Sequence, residues 1–252
     1  INWVKNIFWI KMNKAGTGHV EVIISFVLFI GFLAFILITF NPLKGPPNPA
    51  IVNSVYNVLE DNLSVELNKV SINLNINTGQ SCFILKDSGN LIYDLKCNSN
   101  NIFVKDQNNN RKYAEIISNE IVSELGSTSF YTIYCSDEIN PTTGSFGNLN
   151  SCRDYSSDEY EVGIIVSNNY LSFKKITQLK NDYLSKYPSI KKEFIRETSD
   201  FGFIVWDLNQ SKNFDVTQDV PKGLDVISKT LPINIIDSDV NITKHTITVM
   251  TW

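Results

Sequence analysis

The residues whose types and spacing could do chemistry are few. Asp237, Asp239 and Asn241 set out the alternating oxygen ligands, D-x-D-x-N, that open a calcium-binding loop. The likeness stops there: Ile242 stands where the sharp bend needs glycine, and Thr248 where a bidentate glutamate belongs. A hairpin turn held by Asp and Asn side chains accounts for the same residues. Nucleophilic catalysis needs a serine or cysteine with a base in reach. The chain has no G-x-S-x-G elbow, and its two histidines are His19 and His245. His245 alternates within a predicted strand and reads as structural. Asp158, Glu159 and Glu161 could flank a glycosidic bond as paired carboxylates, a role open to any acidic loop. No catalytic residue, cofactor or metal site is expected, and the chain does not read as an enzyme.

Four cysteines, Cys82, Cys97, Cys135 and Cys152, fall into two close pairs. Tight C-x2-C knuckles are absent and neither histidine lies near them in sequence, which excludes a common zinc pattern. In an oxidising exterior the spacing suggests disulfides, with free buried thiols as the alternative. Short-range closure predicts Cys82 with Cys97 and Cys135 with Cys152. Loops of about 15 residues would each contribute about 3 kcal/mol in the chain-entropy model.

The remaining chemistry is a single acid, Glu21, at the mouth of an otherwise apolar run. Residues 22–40 hold no charge and no proline. At about 1.5 Å per residue they match a hydrocarbon core of about 30 Å. A core helix of a soluble protein would keep a polar stripe, and this one has none. Lys5, Lys11 and Lys14 precede the run without an acid among them, so the N-terminus is placed in the cytoplasm. Asn41-Pro42 and the "GPPNP" of residues 45–49 end the helix and act as a stiff spacer. The organisation expected is a cytoplasmic leader (1–19), a transmembrane helix (20–40), a Pro-rich spacer (41–49) and an extracytoplasmic domain (50–252). The chain would be a single-pass protein of the cell membrane, with lipid as its first partner.

Met12 opens a compact basic leader, and residues 1–11 read as lying before the true start. Lys14, Ala15 and Gly16, followed by Thr17 to Glu21 and the apolar helix, resemble the class III signal of type IV pilins and pilin-like proteins. The resemblance implies cleavage after Gly16 by a prepilin peptidase, leaving Thr17 first and Glu21 fifth. It also implies that Glu21 meets the N-terminal amine of a like subunit within the membrane. The alternative for Glu21 is an interfacial position near headgroups and water. Pro42, Pro46, Pro47 and Pro49 depart from the family, whose helix runs on to form a fibre core. The layout is also similar to a group of uncharacterised archaeal single-pass proteins with a "GQxEFIISF"-like start to the membrane helix, an "NP" exit and a closing strand ending in Trp. The residues of that likeness are 18–26, Asn41-Pro42 and 247–252.

A net charge of -4 argues against a phosphate-binding surface, and nucleic acid is not an expected partner. In the domain, residues 50–67 have helical spacing, 69–76 alternate as a strand, and "CFILK" and "LIYDL" flank "DSGN" as a hairpin would. Residues 101–105, 129–135 and 160–166 read as strands, and 113–125 as a helix or two strands. Residues 173–187 form an amphipathic helix extended past Pro188, and strands follow at 201–208, 224–237 and 242–252. The fold class expected is α+β, a mainly antiparallel sheet with an amphipathic helix. Trp206 and Trp252 read as core anchors. Asn62, Asn209 and Asn241 begin glycosylation sequons. Two functions follow: a structural or interaction component of the cell surface with a pilin-like anchor, or a membrane-tethered ligand-binding domain.

Overall fold

The computed structural model describes residues 17–40, 49–75, 80–140, 144, 146, 149–195 and 199–252. The chain divides into two units, Ile1–Asn48 and Pro49–Trp252. In the first, helix α1 (Thr17–Phe40) is continuous, and every described side chain from 20 to 35 is exposed. Among the described residues no helix is long and apolar enough to cross a membrane; the described side chains of α1 end at Ile36. Lys14, Gly16, the leader before them and residues 41–48 of the expected spacer lie outside the described residues.

The second unit is α+β. It runs α2 (Pro49–Leu63), β1 (Ser64–Leu74), β2 (Cys82–Leu85), α3 (Gly89–Asp94), β3 (Ile102–Asp106), β4 (Arg111–Lys112), β5 (Ala114–Ile117), β6 (Glu120–Glu124) and β7 (Phe130–Cys135). There follow β8 (Cys152–Tyr155), β9 (Tyr160–Val162), β10 (Val166–Ser172), α4 (Phe173–Phe194), β11 (Phe201–Trp206), β12 (Lys212–Val216), β13 (Ile227–Ile236) and β14 (Ile242–Thr251). The large sheet has the order β12-β11-β14-β13-β10-β1-β7-β3-β4, with β9 beside β1; a smaller sheet has the order β5-β6-β2-β8. All pairs are antiparallel except β10 with β13 and β2 with β8.

Period and burial agree along these elements. Helix α2 buries Val52, Val55, Leu59 and Leu63, one stripe at helical spacing. On α4 the buried stripe is Ile176, Tyr183, Tyr187, Ile190 and Phe194. Both stripes lie against Phe201, Phe203, Val205, Ile247 and Val249 at the β11–β14 end of the large sheet. At its other end, Val70 and Ile72 of β1 and Tyr131 and Ile133 of β7 pack on Phe83, Leu85 and Tyr155 of the small sheet. Strand register places these two cores on one face, because Val70 opposes Ile133 and Ser64 opposes the α4-facing Leu171. The opposite face carries a lesser cluster around Phe103, Ile139 and Ile236.

Three local expectations change and one open choice is decided. "LIYDL" is not a strand but helix α3, because Leu91, Ile92 and Leu95 are spaced to bury one helical face. Residues 113–125 resolve as two strands, turned by Ser118 and Asn119 with φ of 51° and 66°. Residues 160–166 break at Gly163, whose N–H donates to the Ser71 carbonyl and where a Cβ would lie 3.1 Å from that same oxygen. Trp206 and Trp252 are only half-buried, and Trp206 donates its indole N–H to Thr248 instead of anchoring the core.

The disulfide pairing also differs from the short-range expectation. Cys82 pairs with Cys152 and Cys97 with Cys135. Cys82 and Cys152 are direct neighbours on the parallel strands β2 and β8. Cys97 follows α3 and meets Cys135 at the end of β7. Strand adjacency brings the first pair within reach, and the turn after α3 brings Cys97 to the end of β7.

Candidate functional site: a groove at converging strand ends

Strands β10, β13 and β11 all run the same way, since β14 is antiparallel to both β13 and β11. Their carboxyl ends lead into the start of α4, the turn at Asp237 and the turn at Asp207, respectively. These three segments border a groove of about 1430 Å³. Ligand sites in sheets with parallel strands favour such a convergence. Helix α4 contributes Phe173, Thr177, Gln178, Asn181 and Asp182, which repeat at three and four residues along one side.

Sequence builds each wall locally. The D-x-D-x-N of residues 237–241 is a hairpin turn: Asp237 accepts the N–H groups of Asp239 (2.9 Å) and Asn241 (2.8 Å), and Val240 has φ 60°. The same device recurs at Asp207, which accepts from Asn209 and Ser211, with Gln210 at φ 60°. It recurs again outside the groove at Asp106, which accepts from Asn108 and Asn110, with Asn109 at φ 64°. The D-x-N-x-N of 106–110 and the D-x-N-x-S of 207–211 carry the same signal in sequence as the D-x-D-x-N of 237–241. Hydrogen bonds from the Ser211 hydroxyl and N–H, then from the Asn209 N–H, hold the Asp207 carboxyl below the usual carboxylate range.

Glu138 is the buried charge of the site. Its carboxylate accepts from the Ser172 hydroxyl and, at 2.9 Å, from the Lys174 N–H, while Ser172 Oγ caps α4 by accepting from Lys175 N at 2.9 Å. The α4 terminus is therefore satisfied from within, and the acid serves the helix dipole. His245 lies in the wall with Nδ1 3.3 Å from the Trp206 carbonyl oxygen and Nε2 2.8 Å from Thr243 Oγ1. A carbonyl only accepts, so Nδ1 carries the proton and the ring is fixed as a structural member. Asp182 pairs with Lys186 at 2.9 Å on the α4 rim.

Other candidates are not brought here. Glu159 accepts from the Ser156 N–H and hydroxyl and pairs with Arg153 at 3.2 Å, and the Ser156 bonds first, then Arg153, hold its carboxyl below the usual range. Glu161 reaches Asn73, on β1, so the acidic loop at 158–161 does not form a facing carboxylate pair in the groove. Among the described residues no cluster of His, Cys, Asp or Glu could hold a metal ion. Glu21 is exposed on α1, Thr17 opens that helix, and Cys82, Cys97, Cys135 and Cys152 form the two bridges. Of the sequon residues, Asn241 uses its side chain on Asp237 and Asn62 on Glu193, whereas Asn209 borders the groove.

No family model, curated protein or solved structure matches this chain.

Proposed function

We propose that this is a membrane-anchored extracytoplasmic protein, an interaction component of the cell surface held by α1. The observation that carries the reading is the surface of α1. Consecutive side chains from Val20 to Phe35 are exposed, so apolar surface runs all round the helix, and Glu21 is the one charged residue of its 24. The helix is about 36 Å long at 1.5 Å per residue. Exposed apolar patches on ordinary monomers reach only about 300–600 Å². The two disulfides suit an oxidising exterior.

On the pilin-like resemblance, a prepilin peptidase cuts after Gly16, and the new Thr17 amine pairs with Glu21 of a neighbouring subunit. Removing the carboxylate should leave insertion intact and abolish crosslinked oligomers. Protease added to intact cells should release the domain at 50–252, and mass spectrometry should find Thr17 as the mature N-terminus. Complete protection in intact cells, lost on lysis, would overturn the topology. Equal oligomer yield from wild type and Glu21→Ala would leave α1 a simple anchor.

A second reading, a membrane-tethered ligand-binding domain, is favoured by the groove of about 1430 Å³ at the strand ends. Concave sites of this size are how a domain holds a molecule and not only a neighbouring surface.

A further inference from the structure

We infer that the outer edge of β9 and β10 pairs, strand to strand, with the same edge of a second copy of this chain; this rests on the interaction reading and names its partner. Strands β9 and β10 run end to end along one side of β1, with β7 on the other side. Beyond them stands β13, which meets β10 at Leu171–Ile235 and Ser172–Ile236 and then parts from it. Among the described residues no strand pairs the outer side of 160–170. Burial agrees: residues 161–164 and 166–169 are exposed without alternation, and burial returns at Leu171 and Ser172, where β13 joins.

An unpaired edge is a template for another chain, and proteins guard such edges with charge or proline. The outermost strands of both sheets are guarded in this way, by Lys212 on β12, Arg111 on β4, Glu115 on β5 and Arg153 on β8. Strand β13, facing the same gap, carries Lys229 and Pro232. The edge of β9 and β10 has no such guard: from Val162 to Phe173 there is no charge and no proline. Its branched side chains stand in solvent, Val162 at 47%, Ile164 at 87% and Val166 at 39%. Charge then selects the partner. In a two-fold antiparallel pairing with Ile164 near the axis, Val162 of each copy faces Val166 of the other and Glu161 faces Ser167, so no like charges are opposed. A charged partner would find no complement along this edge, whereas a second copy brings the same neutral, branched surface. Copies held in one membrane by α1 also meet at raised effective concentration.

The test uses the full chain in detergent micelles, carrying Glu21→Ala so that pairing through that carboxylate is removed, with its mass followed by sedimentation equilibrium. The expected result is a dimer at micromolar concentration. Ile164→Lys with Val166→Lys should weaken it about tenfold, because cations then face each other across the axis. Ile164→Glu with Val166→Glu should do the same alone, and an equimolar mixture of the two variants should restore the dimer. Both side chains are exposed, so unfolding midpoints should be unchanged. A chain that stays monomeric, a dimer indifferent to these substitutions, or a mixture that fails to associate overturns the inference. The cell-surface reading is judged separately, by protease release of the domain from intact cells, and a monomer so released would leave that reading standing.

Discussion

The nested disulfides can be tested by exchanging which cysteines are removed together. The inner bridge, Cys97–Cys135, spans 38 residues and the outer, Cys82–Cys152, spans 70. In the chain-entropy model the inner bridge contributes about 4 kcal/mol. With it in place, the outer bridge closes an effective loop of about 32 residues and contributes about 4 kcal/mol more. The double variant Cys82→Ser/Cys152→Ser therefore loses one bridge and about 4 kcal/mol. Cys82→Ser/Cys97→Ser orphans Cys135 and Cys152 and loses both bridges, about 8 kcal/mol. Under short-range pairing the order reverses, because the second variant would remove a single bridge worth about 3 kcal/mol. With a urea slope of about 2 kcal/mol/M, the nested pairing lowers the midpoint by about 2 M in the first variant and about twice that in the second. Peptide mapping supplies the covalent answer. Cleavage after Lys96 separates Cys82 from Cys97, and a glutamate-specific cut after Glu138 separates Cys135 from Cys152. A Cys82 peptide joined to a Cys97 peptide, or a milder loss in Cys82→Ser/Cys97→Ser, would refute the reasoning.

Three further outcomes are expected. Glu138→Ala should cost about 2–3 kcal/mol in urea unfolding, because the Ser172 hydroxyl and Lys174 N–H lose their buried acceptor, and Glu138→Gln should recover part of it. Tyr155→Phe should be neutral or stabilising by up to about 1 kcal/mol, since its buried hydroxyl has no partner among the described residues; a clear loss of stability would count against this. Stability should fall at both ends of the pH scale. Burial pushes Asp106 and Asp200 up, but hydrogen bonds to Asn110 and Lys112, and to Lys191 and Tyr187, outweigh it and leave both below the usual range. A depressed carboxylate stabilises above its unfolded pKa of about 3.9, and that contribution is lost as pH drops through the folded value. Burial, then its bond to Asp200, pushes Tyr187 up to about 12. Its contribution is present below about pH 10 and is lost between there and about 12. Urea midpoints at pH 3, 7 and 11 check the sign, and a higher midpoint at pH 3 than at pH 7 would contradict it.

What the chain determines by itself is whatever depends on neighbours in sequence. The helical spacing of α2 and α4, the alternation of β13 and β14 and the Asp-anchored turn at 237–241 are all local, so their type was legible from residue pattern alone. So was the apolar run of α1 with Glu21 at its mouth. Boundaries and faces are less legible: the pattern of α3 also fits a strand, because six residues hold too few turns to separate a period of 3.6 from a period of two. Only the tertiary structure decided the bridges, since the parallel alignment of β2 with β8 places Cys82 beside Cys152 across 70 residues of chain. It also decided the groove. Asn181, Asn209 and His245 come from three separate segments, and they share a wall because β10, β11 and β13 end at the same side of one sheet. Strand order is set by long-range burial of two cores on one sheet face, a sum over the whole domain that no window of sequence contains.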